Sequence, residues 1–154
     1  MNAKICIILF VLLAACNGNK KTDYIFNKID NNKKEGLHLY YFQDGNIKAI
    51  LNYRADSLNG ESIYFYPNNR IKAKVHFVNN LENGMAYYFY PSGVIESYRQ
   101  WENGKKVNYA QDYYDTLGYL KSYMYYNNEG ALVWRNTVDV NGKVIHEEGK
   151  QNKL

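Results

Sequence analysis

Short apolar segments and polar turns alternate along the chain from residue 36 onward. The clearest segment runs from Ile71 to Phe77, where apolar residues occupy every second position and Lys72, Lys74 and His76 lie between them. A period of two residues is typical of a strand with one face packed and one face in water. No segment after the first 15 residues keeps the 3.6-residue period of an amphipathic helix. The pattern predicts an all-β chain.

The segments recur with a fixed period of 24 residues. Gly36, Gly60 and Gly84 each open a segment that contains a pair of aromatic residues. The same offset aligns three turns, three isoleucines and three closing aromatics, namely Asp44-Gly45, Asn68-Asn69, Ser92-Gly93, Ile47, Ile71, Ile95, Tyr53, Phe77 and Trp101. Beyond residue 108 a half-period of 12 residues takes over, so that each half-period is one strand and one turn.

Turn chemistry predicts how the strands connect. Asn59-Gly60, Asn83-Gly84, Asn103-Gly104 and Asn141-Gly142 carry the dipeptide that best tolerates the positive φ angles of a tight hairpin. Asn69 and Asn108 stand where the repeat expects glycine, which predicts less regular turns there. The expected fold is an antiparallel meander of repeated β-hairpins, eight to ten strands in a single elongated, twisted sheet, over residues 36–148.

The first 16 residues form a separate pattern. A positive start ending at Lys4 is followed by 11 consecutive apolar residues, Ile5 to Ala15, which are too few to span a bilayer as a helix but suit a signal helix. Leu13-Ala14-Ala15-Cys16 resembles the lipobox of bacterial lipoproteins. That resemblance implies cleavage before Cys16 and acylation of its thiol. The alternative is an ordinary signal peptide in which Cys16 has no role.

These boundaries divide the chain into four parts. Residues 1–15 are predicted to be the signal peptide, 16–35 a polar tether, 36–148 the repeat domain and 149–154 a C-terminal tail. The other cysteine, Cys6, lies inside the leader, so the exported domain would contain neither a disulfide nor a thiol nucleophile.

The repeats resemble the bacterial variant of the MORN repeat, which combines an opening glycine, an aromatic pair, a turn glycine and a closing aromatic. Three copies cover residues 36–107, and weaker ones cover 108–148. The resemblance implies a hairpin scaffold used for binding, and some relatives in that family are antitoxins of toxin–antitoxin pairs. The family contributes no catalytic residues. The segment from Tyr114 to Gly118 also resembles the YD repeat of large secreted toxins.

Candidate chemistry is sparse. The chain has a formal net charge of +4, and its basic residues form no dense tract, so we expect no nucleic-acid partner. His38, His76 and His146 follow no metal-ligand spacing, and no serine lies in a nucleophile motif. We therefore predict no catalytic residues, no metal and no cofactor, and a chain that is not an enzyme.

Tyrosine is the prominent residue type, with 17 copies. The repeat places a column of aromatics on one sheet face: Tyr40, Tyr64 and Tyr88, with Phe42, Tyr66 and Tyr90 as neighbours. The preferred interpretation is that these aromatics stabilise the sheet through cross-strand pairs. The alternative is a binding surface, because tyrosine combines contact area with a hydroxyl at low entropic cost.

Taken together, the sequence predicts a non-catalytic, lipid-anchored envelope protein whose sheet binds a protein or a glycan. The alternative is an antitoxin or immunity protein that neutralises a cognate toxin. An envelope hydrolase would need a catalytic constellation that the sequence lacks. Asn17 is not the aspartate of an inner-membrane retention signal, which predicts the outer membrane, with the domain on the periplasmic face and a cell-surface position as the other option.

Overall fold

The structure is a computed structural model that describes residues 26–149, apart from the side chains of residues 109–113. Every regular element in this range is a β-strand. The strands are β1 (Lys28–Asp30), β2 (Lys33–Tyr41), β3 (Ile47–Arg54), β4 (Ser57–Leu58), β5 (Gly60–Phe65), β6 (Ile71–Val78), β7 (Leu81–Phe89), β8 (Ile95–Glu102), β9 (Lys105–Lys106), β10 (Asn108–Tyr114), β11 (Leu120–Tyr126), β12 (Leu132–Val138) and β13 (Val144–Gly149).

Each strand pairs antiparallel with its neighbour in sequence, which confirms the predicted meander of hairpins. Eleven strands follow one another across the sheet, and the two-residue strands β4 and β9 pair with β3 and β8. The sheet begins earlier than expected, because β1 and the start of β2 lie in the range assigned to the tether. The predicted signal helix and Cys16 lie outside the described residues.

Two kinds of turn connect the strands. On one edge of the sheet, the tight turns consist of two consecutive residues with positive φ, as in Ala55 (φ 49°) and Asp56 (φ 67°). The equivalent pairs, 24 residues apart, are 31–32, 79–80 and 103–104. Of the predicted Asn-Gly turns, only Asn103-Gly104 is of this kind.

The turn assignment was wrong for Asn59-Gly60 and Asn83-Gly84. Gly60 is the first residue of β5, and Gly84 lies inside β7, at positions where the strand departs from ideal geometry with φ of 102° and 90°. An Asn-Gly pair suits a left-handed backbone wherever it occurs. Pairing across the sheet decides whether such a pair forms a turn or a distortion within a strand.

The second kind of turn spans five residues and repeats one hydrogen-bond pattern. The Phe42 N–H donates to the Asn46 carbonyl at 2.8 Å, and the Gly45 N–H donates to the Phe42 carbonyl at 3.0 Å. The same two bonds recur in the turns at 66–70, 90–94, 115–119, 127–131 and 139–143. Asn141-Gly142 lies in one of them. The turn with Asn69 is as regular as the others, contrary to expectation, because Asn69 adopts φ of 64° where the others have glycine.

The side chains of the sheet pack in two clusters. Cross-strand register places Tyr40, Tyr64 and Tyr88 on one face, which we call the tyrosine face. The tyrosine face includes a cluster around the buried residues Ala73, Val75 and Ala86, and the opposite face includes a cluster around Ile50, Ile63 and Phe65. In the part of the chain that the structure describes, one sheet supplies both clusters, and no helix is long and apolar enough to cross a membrane.

Candidate functional site

The predicted tyrosine column lies on one face, but its members are not direct neighbours. Tyr64 is paired with Ala49 on one side and Ala73 on the other, and Tyr88 is paired with Ala73 and Ser97. The alanines are only 5% and 6% exposed, whereas the tyrosines are half-buried. Two strand spacings, about 10 Å, therefore separate successive tyrosines. The cross-strand aromatic pairs of the preferred interpretation do not form between them.

Small and large side chains alternate in a second row of the same face. Here the opening glycines lie opposite the closing aromatics, with Gly36 paired to Tyr53, Gly60 to Phe77 and Gly84 to Trp101. The glycine leaves space for the ring across the strand. Each repeat therefore contributes one tyrosine and one closing aromatic to a regular frame.

The neighbours in the predicted column have a structural role at the turn edge. The Tyr66 hydroxyl donates to the Phe89 carbonyl at 2.8 Å, and the Tyr90 hydroxyl donates to the Tyr114 carbonyl at 2.8 Å. Each bond joins one repeat to the next. Phe42, at the equivalent position of the first repeat, has no hydroxyl to make such a bond.

One position of the tyrosine face changes its chemistry from repeat to repeat. It lies two residues before the repeat position of Gly36, Gly60, Gly84 and Asn108, and its occupants, which we call the variable row, are Lys34, Leu58, Glu82 and Lys106. The register pairs Leu58 with Tyr53, Glu82 with Phe77 and Lys106 with Trp101. The sequence analysis missed this row, although the 24-residue period was enough to find it.

In the first repeat the variable row joins a tyrosine pair. The Lys34 ammonium donates to the Tyr40 hydroxyl at 2.9 Å and lies 4.8 Å from the centre of the Tyr53 ring, and the two tyrosine oxygens are 3.1 Å apart. The hydrogen bond from Lys34 lowers the pKa of Tyr40. Burial, followed by the hydrogen bond with Tyr40, raises the pKa of Tyr53 to about 12. Tyr40 is therefore the more acidic partner.

In the third repeat the variable position is acidic. Burial raises the pKa of Glu82, although the hydrogen bond from Tyr88 opposes the shift. The Tyr88 hydroxyl lies 3.4 Å from Glu82 Oε1, and the Arg99 guanidinium lies 4.4 Å from the centre of the Tyr88 ring. Burial also raises the pKa of Tyr88, which keeps its hydroxyl a donor at neutral pH.

The fourth member of the row is a cation between two rings. The Lys106 ammonium lies 5.8 Å from the centre of the Trp101 ring and 5.3 Å from that of the Tyr126 ring. Burial lowers the pKa of Lys106, and the positive charge of Arg99 lowers it further. Cation–π contacts of this kind partly compensate an ammonium for lost water.

The three histidines lie in different surroundings. His38 is buried, with Nε2 3.0 Å from the Lys28 carbonyl, while His76 is exposed, with Nδ1 3.0 Å from the Asn83 carbonyl. His146 is exposed on β13, opposite Thr137. Among the described residues, no three histidine, cysteine or acidic side chains come together as metal ligands.

Comparison with known proteins gives few matches. No protein-family model matches the chain, and no curated protein does. Among solved structures, the chain is similar to a Glycosylation Associate Protein complex from Streptococcus agalactiae, with 20% identity over 89% of this chain and 27% of that chain and a TM-score of 0.39. It is also similar to TarM, with 18% identity over 90% of this chain and 23% of that chain and a TM-score of 0.32.

A mutant of S. aureus TarM in complex with Fondaparinux, alpha-GlcNAc-glycerol and UDP matches with the same identity, coverage and TM-score. The chain thus spans about a quarter of the length of these proteins. These matches carry no information about the function of this chain.

Proposed function

We propose that this chain is a non-catalytic binding protein of the bacterial envelope, anchored by acylated Cys16 to the outer membrane, and that the tyrosine face contacts its partner. The anchor is supported by the lipobox-like sequence before Cys16. The observation that carries the binding role is the variable row. An otherwise repeated face holds a cation, an aliphatic group, an anion and a second cation at one equivalent position of four repeats.

A purely structural repeat has no need of such variety. The tyrosines, the small residues opposite them and the closing aromatics keep their character from repeat to repeat, since they fill space in a fixed geometry. The variable row lies between closing aromatics at the same depth, yet its charge reverses between Glu82 and Lys106. A difference in charge without a difference in backbone is what recognition of one specific partner requires.

The rigid frame favours the same role. Half-buried tyrosines offer contact area and a hydroxyl group, and their positions are held by the sheet, so little conformational entropy is lost on binding. In the proposed arrangement the tether carries the domain away from the membrane, and the partner is a protein or glycan of the envelope.

The test is affinity capture from solubilised envelopes with the full-length lipidated protein. Reversing two charges of the variable row, Glu82→Lys and Lys106→Glu, should abolish capture of the specific partner. A matched control reverses two exposed charges of the opposite face, Lys48→Glu and Glu61→Lys, and should retain it. Equal capture by both variants would refute the assignment of the face. Capture of a single toxin that the protein neutralises would favour the antitoxin alternative.

A further inference from the structure

The ammonium of Lys106 has an unusual environment. It is partly buried between the Trp101 and Tyr126 rings, and no carboxylate of the described residues lies within ion-pair distance of it. The acidic member of the variable row, Glu82, already accepts a hydrogen bond from Tyr88. A partly desolvated cation without an ion-pair partner gains strongly from a bound anion.

The surroundings of Lys106 also restrict the kind of anion. Two aromatic rings flank the ammonium, and a third, that of Tyr88, lies under the Arg99 guanidinium. A ligand that places a carboxylate on Lys106 meets ring surfaces on both sides of it. A carboxylated sugar meets both requirements, since its C–H faces pack on aromatic rings while its carboxylate pairs with the ammonium.

A second cation occupies the equivalent position at the other end of the variable row. Lys34 uses one of its three donors on Tyr40, which leaves two for a ligand. Six strand spacings separate β2 from β10, which corresponds to roughly 29 Å at about 4.8 Å per strand. Leu58 and Glu82 lie between the two lysines, so a ligand that reaches both must carry separated charges instead of a continuous series.

This spacing distinguishes a glycan from an acidic peptide. An acidic sugar that alternates with a neutral one presents carboxylates at intervals along a chain that crosses the strands. A run of Asp or Glu presents a carboxylate at every residue and would bring some of them against Glu82, where like charges repel.

We propose that the tyrosine face binds an acidic glycan in which carboxylated and neutral sugars alternate, with Lys106 and Lys34 as the two carboxylate contacts. This inference rests on the proposed function and specifies its ligand class.

The experiment measures binding of a hyaluronan decasaccharide, which alternates carboxylated and neutral sugars, to the full-length protein in detergent by calorimetry. The carboxyl-reduced decasaccharide and poly-glutamate serve as comparison ligands. Binding of hyaluronan should weaken about tenfold or more in Lys106→Met, the size expected for a charge-assisted contact. The matched control Lys105→Met, an exposed neighbour on the same short strand, should bind within about twofold of wild type.

A gain of binding guards against loss of folding. Leu58→Lys places a third ammonium in the variable row and should strengthen hyaluronan binding, whereas a merely destabilised protein would not bind more tightly. Equal binding of the carboxyl-reduced sugar, equal or tighter binding of poly-glutamate, or no effect of Lys106→Met would overturn the glycan assignment. If envelope capture still depends on the variable row while hyaluronan fails to bind, only this inference is refuted and the proposed function stands.

Discussion

Replacing Tyr66 by phenylalanine removes a single hydroxyl from the turn between β5 and β6. That hydroxyl is partly buried and donates to the Phe89 carbonyl at 2.8 Å, which joins two consecutive repeats. The substitution keeps the ring and its contact with the Lys72 ammonium, 5.8 Å from the ring centre. Burial raises the pKa of Tyr66, so the hydroxyl is a donor throughout the neutral range.

The expected loss follows from the net value of one such bond. An intramolecular hydrogen bond contributes about 1 kcal/mol to the free energy of unfolding, because the unfolded state regains hydrogen bonds with water. Tyr66→Phe should therefore destabilise the domain by about 1 kcal/mol. Tyr90→Phe should cost the same, because its bond to the Tyr114 carbonyl has the same length of 2.8 Å. The two bonds use different carbonyls, so the double variant should lose about 2 kcal/mol.

The first repeat supplies the reverse experiment. Phe42 occupies the position of Tyr66 and Tyr90, and Phe65 lies 24 residues before Phe89, so Phe42→Tyr should add a bond to the Phe65 carbonyl and stabilise the domain by up to about 1 kcal/mol. Equilibrium urea unfolding measures all four variants, with an unchanged dependence on denaturant showing that the same surface unfolds. If both Tyr→Phe variants change the free energy of unfolding by less than about 0.3 kcal/mol, the bonds do not hold the repeats together. A destabilising Phe42→Tyr would show that the repeats are not equivalent at this edge.

Three further predictions concern other parts of the chain. Asn80→Ala removes the side-chain oxygen that accepts from the Leu58 N–H at 2.7 Å, and should lower the free energy of unfolding by about 1 kcal/mol, measured in urea. Glu82 has a raised pKa in the folded state, so its protonated form favours folding and that contribution is lost as the pH rises above its ordinary value of 4.5. Glu82→Gln should therefore gain stability relative to wild type as the pH rises from below 4.5 to 7 in a series of thermal melts, and a difference independent of pH would contradict the assignment. Under the proposed anchoring, Cys16→Ser should take up no labelled fatty acid and lose durable membrane attachment, and equal labelling of both proteins would refute the lipid anchor.

Much of the fold was predictable because its signals are local. The period-two pattern of Ile71 to Phe77 predicted a half-buried strand, and β6 covers this segment with Ala73 and Val75 buried. The tight turns were harder to locate. Ala55 and Asp56 form one of them without the usual asparagine and glycine, because the strands paired on either side leave these two residues to reverse the chain.

The candidate site was predictable in one respect and not in another. The repeat placed Tyr40, Tyr64 and Tyr88 on a common face, since alternate residues of a strand point the same way. It did not show that a strand with a small residue lies between successive tyrosines, as Ala73 does between Tyr64 and Tyr88. The variable row became visible only when the register paired Lys106 with Trp101 and Glu82 with Phe77.

The sequence by itself determined the strand content, the 24-residue period and the face on which the repeated tyrosines lie. These are properties of the backbone near each residue and of spacing along the chain. Only the tertiary structure decided which side chains meet across the strands, which residue pairs turn the chain and where the Tyr66 and Tyr90 hydroxyls find acceptors. The reason is that register depends on both ends of each strand at once, and a shift of one residue would move every side chain to the other face.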